Sequence, residues 1–496
     1  MPSLLYLNSE NTHSLPSSIS KSKIDRDKIR TSISHIGVTS FHRAHQAVYM
    51  HELIDKHEEL NFGICGIDLL ESDRKTYNIL KDQDGLYTAI FKNANGIFEY
   101  KVIGAIVEYF YGPENPLAAI ERLAQPDIKI ISLTIAEDGY HANEITGEFN
   151  LKHPEVEEDI LNKFNPKTVF GYLTQAFKLR KNRGLAGCTI LSCDNIKANG
   201  DTLRASFFNY VTKSEPSLLP WLKQNTSFPN SMVDRITTVT SPRDIDLLKK
   251  KQLIYDQWPV VCETFSSWII EDNFLLDKPD WEKVGIRFVK NIEPFENRKL
   301  RVLNAGHSIL GILGTLKGYK YVHEAANDED FVIFLEGFID NEVAHNLIGS
   351  SKQSIDSYKR EVINRFKNTH INDRLSRICK ESSSKIPLFI LPTTIDQLGR
   401  NANIDKSAFI LAAWCKYYDG IDDQGNPFEI SDSLSIQLVR AATQAHIKPE
   451  SFLEVESVFG NLNTNKVFVE KFTSYTKKLK TLTIHEGLHQ FNNNTL

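Results

Sequence analysis

Cysteine is scarce in this chain, and the six present, Cys65, Cys188, Cys193, Cys262, Cys379 and Cys415, form no CxxC pair. A chain of 496 residues can bury a large core without staples, so reduced thiols are expected rather than a disulfide framework. Long apolar runs are missing too, and nothing approaches the roughly 18 residues of a membrane span. There is no excess of basic charge. A formal net charge of -5 leaves no electrostatic footprint for nucleic acid or an anionic membrane. The first residues lack the apolar core of a secretory signal, with polar residues 8–13 and a charged run over 21–30, so a cytoplasmic location is expected. GxSxG, P-loop and EF-hand patterns are absent, as are repeats. The polar end, residues 492–494, is expected to fray.

What is present is globular: 41% hydrophobic and 24% charged residues, in a chain long enough for two domains. Small-molecule partners fit this composition. Residues 32–38 read as a strand, 41–57 as a helix and 62–68 as a second strand, a βαβ unit. Residues 129–135 and 188–193 read as further buried strands, with helical patterns over 116–124 and 170–183 between them. Alternating elements predict an α/β fold with a mostly parallel sheet and ligands beyond its C-terminal edge. Past residue 290 long amphipathic patterns dominate, over 355–367, 408–418 and 434–445. The expected division is therefore an α/β domain with a mostly parallel sheet over 1–289 and a mostly α-helical domain over 290–496.

The segment Lys299-Leu-Arg-Val-Leu-Asn304-Ala-Gly-His307 sets an amine, an amide and an imidazole in an apolar helical pattern that starts near Pro294. At about 100° per residue the three fall within an arc of about 140°. A desolvated lysine can act as a neutral base, and an amide can hold the oxygen being deprotonated. Spacing alone also permits Lys299 to reach solvent while Asn304 and His307 bond locally. Gly37-Val-Thr39-Ser40-Phe41 occupies the turn where a dinucleotide pyrophosphate would meet a helix N-terminus, although only the first glycine of GxGxxG is present. Asp68, Glu71 and Asp73 follow the second strand, where a carboxylate can meet an adenosine ribose. His485-Glu486-Gly487-Leu488-His489 matches HExxH by chance: it contains a helix-weakening glycine and has no third ligand downstream. His42 and His45 are expected to pack or cap. No metal is expected in the reaction.

Several blocks together resemble one family. They are Phe41-His-Arg-Ala-His-Gln46, Ser132-Leu-Thr-Ile135, Ser192-Cys-Asp-Asn195, Phe228-Pro-Asn-Ser-Met-Val-Asp234-Arg-Ile236, Trp268-Ile-Ile-Glu-Asp-Asn273-Phe274, the Lys299 to His307 segment, and Tyr321-Val-His-Glu324. In this order they resemble the polyol-specific long-chain dehydrogenases. The resemblance implies a Rossmann-type domain, a helical domain and an active site between them. It also implies zinc-independent hydride transfer between a polyol secondary alcohol and NAD, with D-mannitol going to D-fructose and the ketose reduced in reverse. By the same resemblance Lys299 is the general base, Asn195 and Asn304 hold the reacting oxygen, and Glu296 relays the released proton to water. His307, Asp234, Arg377 and Lys385 are the implied substrate contacts, and Gly37, Thr39, Ser40, Phe41 and Asp73 the cofactor positions.

Two departures stand out. Where the family reads GVGGFHRAH or GVGAFHRAH, this chain has Thr39 and Ser40 in place of small residues. Where NAD-preferring members carry an acidic pair, it has Ser72 and Asp73. One carboxylate should still repel a 2′-phosphate, so NAD is expected, with NADP as the alternative. The alternative functions are a hexuronate reductase of the fructuronate or tagaturonate kind, or a dehydrogenase-shaped protein whose cofactor binding Thr39 and Ser40 have weakened. Oligomeric state and preferred direction are not encoded in any motif.

Overall fold

The computed structural model describes residues 4–142, 148–349 and 351–496. The chain divides into two units, Met1–Ile292 and Glu293–Leu496; the sequence places this division at 289/290.

The first unit is organised by a six-stranded sheet: β1 (Thr31–Ile36), β2 (Gly63–Asp68), β3 (Ile106–Tyr111), β4 (Ile130–Leu133), β5 (Cys188–Ser192) and β6 (Thr226–Ser227). The strands lie in the order β3-β2-β1-β4-β5-β6 and every neighbouring pair is parallel. This is the doubly wound Rossmann order, and its direction reverses between β1 and β4, which opens a crevice beyond their C-terminal ends. β1, β2, β4 and β5 are buried along their whole length, which is why they read as apolar runs such as Ile130-Ile131 and Ile190-Leu191. Helices Pro116–Leu123 and Val169–Asn182 cover one face, each capped at its N-terminus by the preceding Asn115 or Thr168 side chain.

The helix expected over 41–57 is two helices, α1 (Ser40–Ala44) and α2 (Gln46–His57). They break at His45, whose backbone (φ -124°, ψ -85°) leaves the helical region. Its Nε2 lies 3.0 Å from the Ser267 carbonyl and its Nδ1 lies 3.1 Å from Gln46 Nε2. A tertiary bond of this kind leaves no trace in hydrophobic periodicity. The unit also contains a five-stranded mixed sheet built around the hairpin Tyr87–Lys92 and Phe98–Ile103, and a three-stranded sheet of Ser231–Asp234, Ser267–Glu271 and Arg287–Val289. Neither sheet was expected.

The second unit is helical. Its first helical run begins with α3 (Glu293–Arg298), widens into a π-helical segment at Lys299–Asn304, and continues as α4 (Ala305–Lys317), burying Ile309, Leu310, Leu313 and Leu316. Helix Asp405–Tyr417 is buried almost all round and packs on Lys466–Leu479. The last helix is Ile484–Asn492, and Asn492 Nδ2 donates to the Asp330 carbonyl at 2.9 Å. All six cysteines are buried free thiols. Among the described residues no helix is long and apolar enough to cross a membrane.

Candidate active site

The turn after β1 has a geometry that only glycine can supply at its first position. Gly37 has φ +87°, and a Cβ there would lie 2.2 Å from the Thr134 carbonyl oxygen. Its N–H donates to the Ile67 carbonyl at 2.8 Å, and the next N–H, of Val38, donates to Asp68 Oδ1 at 2.8 Å. Asp68 also accepts from the Tyr109 hydroxyl, and burial raises its carboxyl to about 6. The carboxylate that a generic Rossmann reading assigns to ribose is thus occupied in stitching the turn to β2. Asp73, in a single turn at Glu71–Asp73, is half-buried, and burial raises its carboxyl as well.

Thr39 does not project bulk into the turn alone. Its Oγ1 accepts the His42 N–H at 3.2 Å, capping α1, and lies 3.2 Å from Thr134 Oγ1. Ser40 opens α1, and the Phe41 ring stacks on His45 at 5.0 Å. His35 supports the turn from beneath, with Nδ1 2.7 Å from Ser132 Oγ and Nε2 3.0 Å from both the Gly37 carbonyl and Thr134 Oγ1. His42 stacks on His35 with 3.4 Å between ring centroids. It packs in the core.

Asn195 lies just past the C-terminal end of β5, and Asp234 is the last residue of strand Ser231–Asp234, 4% exposed. Two residues that sequence reasoning missed hold this pair in place. Asn199, fully buried, donates from Nδ2 to the Asp194 carbonyl (3.0 Å) and the Ser231 carbonyl (2.8 Å), and its Oδ1 accepts the Ser231 N–H (2.8 Å). It ties the loop of Asn195 to the strand of Asp234. Asp194 accepts the Ile135 and Ala136 N–H groups (3.1 and 2.9 Å) and the Tyr140 hydroxyl (2.8 Å). Burial raises Asp194 to about 6. Ala136 has φ 58° and ψ 174°, a backbone region close to one reserved for glycine, at the C-terminal edge of β4. The available signal was a lone Asp-Asn and a second Asn ahead of a Gly, which without the fold points nowhere.

In the second unit Glu296, Lys299 and Asn304 are each 6% exposed, set among buried Leu300, Val302 and Leu303. The expectation of regular α spacing is corrected here. Five residues along an α-helix rotate through about 500°, leaving Lys299 and Asn304 about 140° apart. In the π segment, hydrogen bonds span five residues, so a residue five further on returns above the first. Such segments are rare and recur at functional sites. His307 lies on α4, half-buried, 4.4 Å from the Phe366 ring.

Arg377 sits on α5 (Leu375–Cys379). Its Nε donates to Asp373 Oδ1 at 2.7 Å and its Nη2 to Asp373 Oδ2 at 2.5 Å, a bidentate pair. The Tyr321-Val-His-Glu324 block braces that pair: the Val322 N–H donates to the Asp373 carbonyl at 2.9 Å, and the Leu375 N–H to the Lys320 carbonyl at 3.0 Å. Lys385 Nζ donates to the carbonyls of Ile378 and Lys380, closing the C-terminal end of α5. α5 packs along α4 because Gly311 and Gly314 leave room. A Cβ at either would come within 2.8 Å of Ile378 or Leu375. The helix of Arg377 is thereby held against the helix of His307.

The C-terminal HExxH is absorbed by structure. His485 Nδ1 lies 3.1 Å from Lys317 Nζ, His489 Nδ1 lies 3.2 Å from Asp330, and Glu486 accepts the N-cap N–H of its own helix.

Comparison with known proteins gives the same division of the chain. Residues 31–283 match the mannitol dehydrogenase Rossmann domain and residues 291–480 the mannitol dehydrogenase C-terminal domain. A mannitol 2-dehydrogenase of Emericella nidulans is 39% identical over 452 residues, 90% of each chain, and one of Aspergillus fumigatus is 40% identical over the same coverage. Among solved structures, Pseudomonas fluorescens mannitol 2-dehydrogenase, in a ternary complex with NAD and D-mannitol, is 35% identical. It superposes with a TM-score of 0.91 over 99% of this chain and 100% of that one. A D-sorbitol dehydrogenase in substrate-free form is 30% identical, with a TM-score of 0.88 over 97% and 100%. With both of its units matched and its fold shared almost end to end, this chain belongs to the mannitol dehydrogenase family.

Proposed function

We propose that the chain is an NAD-dependent polyol dehydrogenase that oxidises D-mannitol at C2 to D-fructose, with Lys299 as general base. The observation that carries this reading is the burial of Lys299 on a π turn that returns Asn304 above it. A general base acts through its neutral amine. The turn at Gly37 lies where a dinucleotide would bind, because it opens at the reversal of strand order between β1 and β4. When bound, the nicotinamide supplies the hydride acceptor.

Lys299 takes the proton from the C2 hydroxyl as hydride leaves C2. The amides of Asn195 and Asn304 donate to the oxygen as it gains charge, which is where fixed dipoles lower a barrier. Glu296, three residues before Lys299 on the same helical run, passes the proton on to water. Asp234, His307, Arg377 and Lys385 orient the remaining hydroxyls, Arg377 from a guanidinium already fixed by Asp373. The relative crystallised with NAD and D-mannitol supports both the substrate class and the cofactor. Asp73 favours NAD over NADP by repelling a 2′-phosphate.

The test is a rate panel in both directions: hexitols and pentitols with NAD and with NADP, and fructose and fructuronate with the reduced cofactors. Fastest NAD reduction with D-mannitol, and fructose as product, is the expected result. A preference for fructuronate, or no nicotinamide absorbance change with any polyol, contradicts the proposal.

A further inference from the structure

We propose that His141, His153 and Glu155 form a binding site for a divalent ion of the zinc class, separate from the reacting residues and without a part in hydride transfer. One ligand atom from each residue lies within 4.8 Å of the others. The two imidazoles lie against each other, with 4.4 Å between ring centroids. Zinc bonds of about 2.0–2.1 Å in a tetrahedral set imply ligand separations of roughly 3.4 Å. Rotation of the exposed Glu155 side chain and small imidazole shifts cover the difference.

The backbone holds the donors near one another without help from an ion. The Asn150 N–H donates to the His141 carbonyl at 2.6 Å, and the His153 N–H donates to the Asn150 carbonyl at 3.2 Å. Ala142 bridges Phe149, whose ring packs edge-on against Phe170 at 5.5 Å. Two features single the cluster out from a chance meeting of surface histidines. His141 adopts φ 48°, left-handed backbone that non-glycine residues keep mostly where surroundings demand it. Nδ1 of His153 is buried with no hydrogen-bond partner, and a buried polar atom of that kind calls for a ligand or a water.

Two imidazoles and one carboxylate select zinc, cobalt or nickel over magnesium and calcium, which prefer all-oxygen shells. Three protein ligands leave a fourth position for water. The ion would tie His141, directly after the turn Glu137–Tyr140 that Asp194 anchors, to His153 at the start of helix Pro154–Leu161.

The test is calorimetric titration of the metal-free full chain with zinc chloride, alongside visible d–d absorption on adding cobalt chloride. Saturable uptake of one ion per chain is expected. Affinity should fall at least about tenfold in His141→Ala and His153→Ala and also in Glu155→Gln, whose exposed side chain does not bear on folding. A His485→Ala/His489→Ala double variant should bind as the wild type does. The proposal is overturned by an absence of saturable uptake, by unchanged affinity in Glu155→Gln and His141→Ala, or by loss of binding in the double variant.

Discussion

Asp194→Asn separates what holds the cofactor crevice in shape from what stabilises the fold. The carboxylate is 8% exposed and each of its oxygens serves one backbone N–H, at Ile135 and Ala136. An amide offers one acceptor oxygen and one donor nitrogen, so one of those N–H groups must face another donor. Leaving it unsatisfied costs about 1–3 kcal/mol. Against this stands the burial of a charge. Asp194 is raised from its ordinary 3.8 to about 6, so the native state binds the proton more tightly than the unfolded chain does. Its contribution to stability is therefore fully present below about pH 4 and is lost as pH rises to about 6, a change of about 3 kcal/mol. The neutral amide does not titrate and escapes that loss. At pH 7 the two effects nearly cancel, and the variant should be as stable as the wild type or up to about 2 kcal/mol more stable. It should gain on the wild type by about 3 kcal/mol between pH 4 and pH 7 in urea denaturation. The loop should fare worse, because the bond that holds Ala136 at φ 58° is weakened. A cost of about 1.4 kcal/mol there lowers the competent population about tenfold, and the NADH dissociation constant rises by the same factor. Stability that tracks the wild type at every pH, or unchanged NADH affinity by fluorescence titration, would refute the reasoning.

Asn199→Ala removes the link between the Asn195 loop and the Asp234 strand and leaves three buried backbone groups unpartnered. A loss of about 3 kcal/mol in urea midpoints, with lowered kcat, is expected, and unchanged stability would contradict it. Gly311→Val forces a side chain into the 2.8 Å approach of Ile378 and should cost about 1–3 kcal/mol while displacing α5 and Arg377. KM for the polyol should rise more than kcat falls, and equal losses in both would count against a positioning role for that helix contact. Asp73→Ala should lower the NAD to NADP ratio of kcat/KM about tenfold on the proposal that its carboxylate repels a 2′-phosphate. An unaltered ratio would show that discrimination lies elsewhere.

The parallel sheet was legible because β1, β2, β4 and β5 are buried on both faces and must be apolar throughout. Their parallel direction followed from alternation with helices. The break at His45 was not legible, because its cause is a bond to Ser267, 222 residues away in sequence. Lys299, Asn304 and His307 could be picked out as a cluster, yet the spacing was read on an α-helix and the π turn that realigns them has no signature in residue type. Thr39 and Ser40 looked like obstructions in a glycine-poor turn. In the folded chain Thr39 caps α1 and meets Thr134, a role that depends on β4 lying beside β1. Asp194 and Asn199 escaped notice for the same reason: each acts on backbone groups brought close only by the fold. Residues that act on substrate carry their chemistry in their side chains, whereas residues that position others carry it in their contacts.

The central claim is that Lys299 takes the proton, and chemical rescue of Lys299→Ala tests it most directly. With NAD and D-mannitol near neutral pH, the variant should lose at least about a hundredfold in turnover, within the range for removal of a general base, while binding NADH as before. Added methylamine should restore turnover in proportion to its concentration. A variant that turns over near the wild-type rate without added amine would contradict the account.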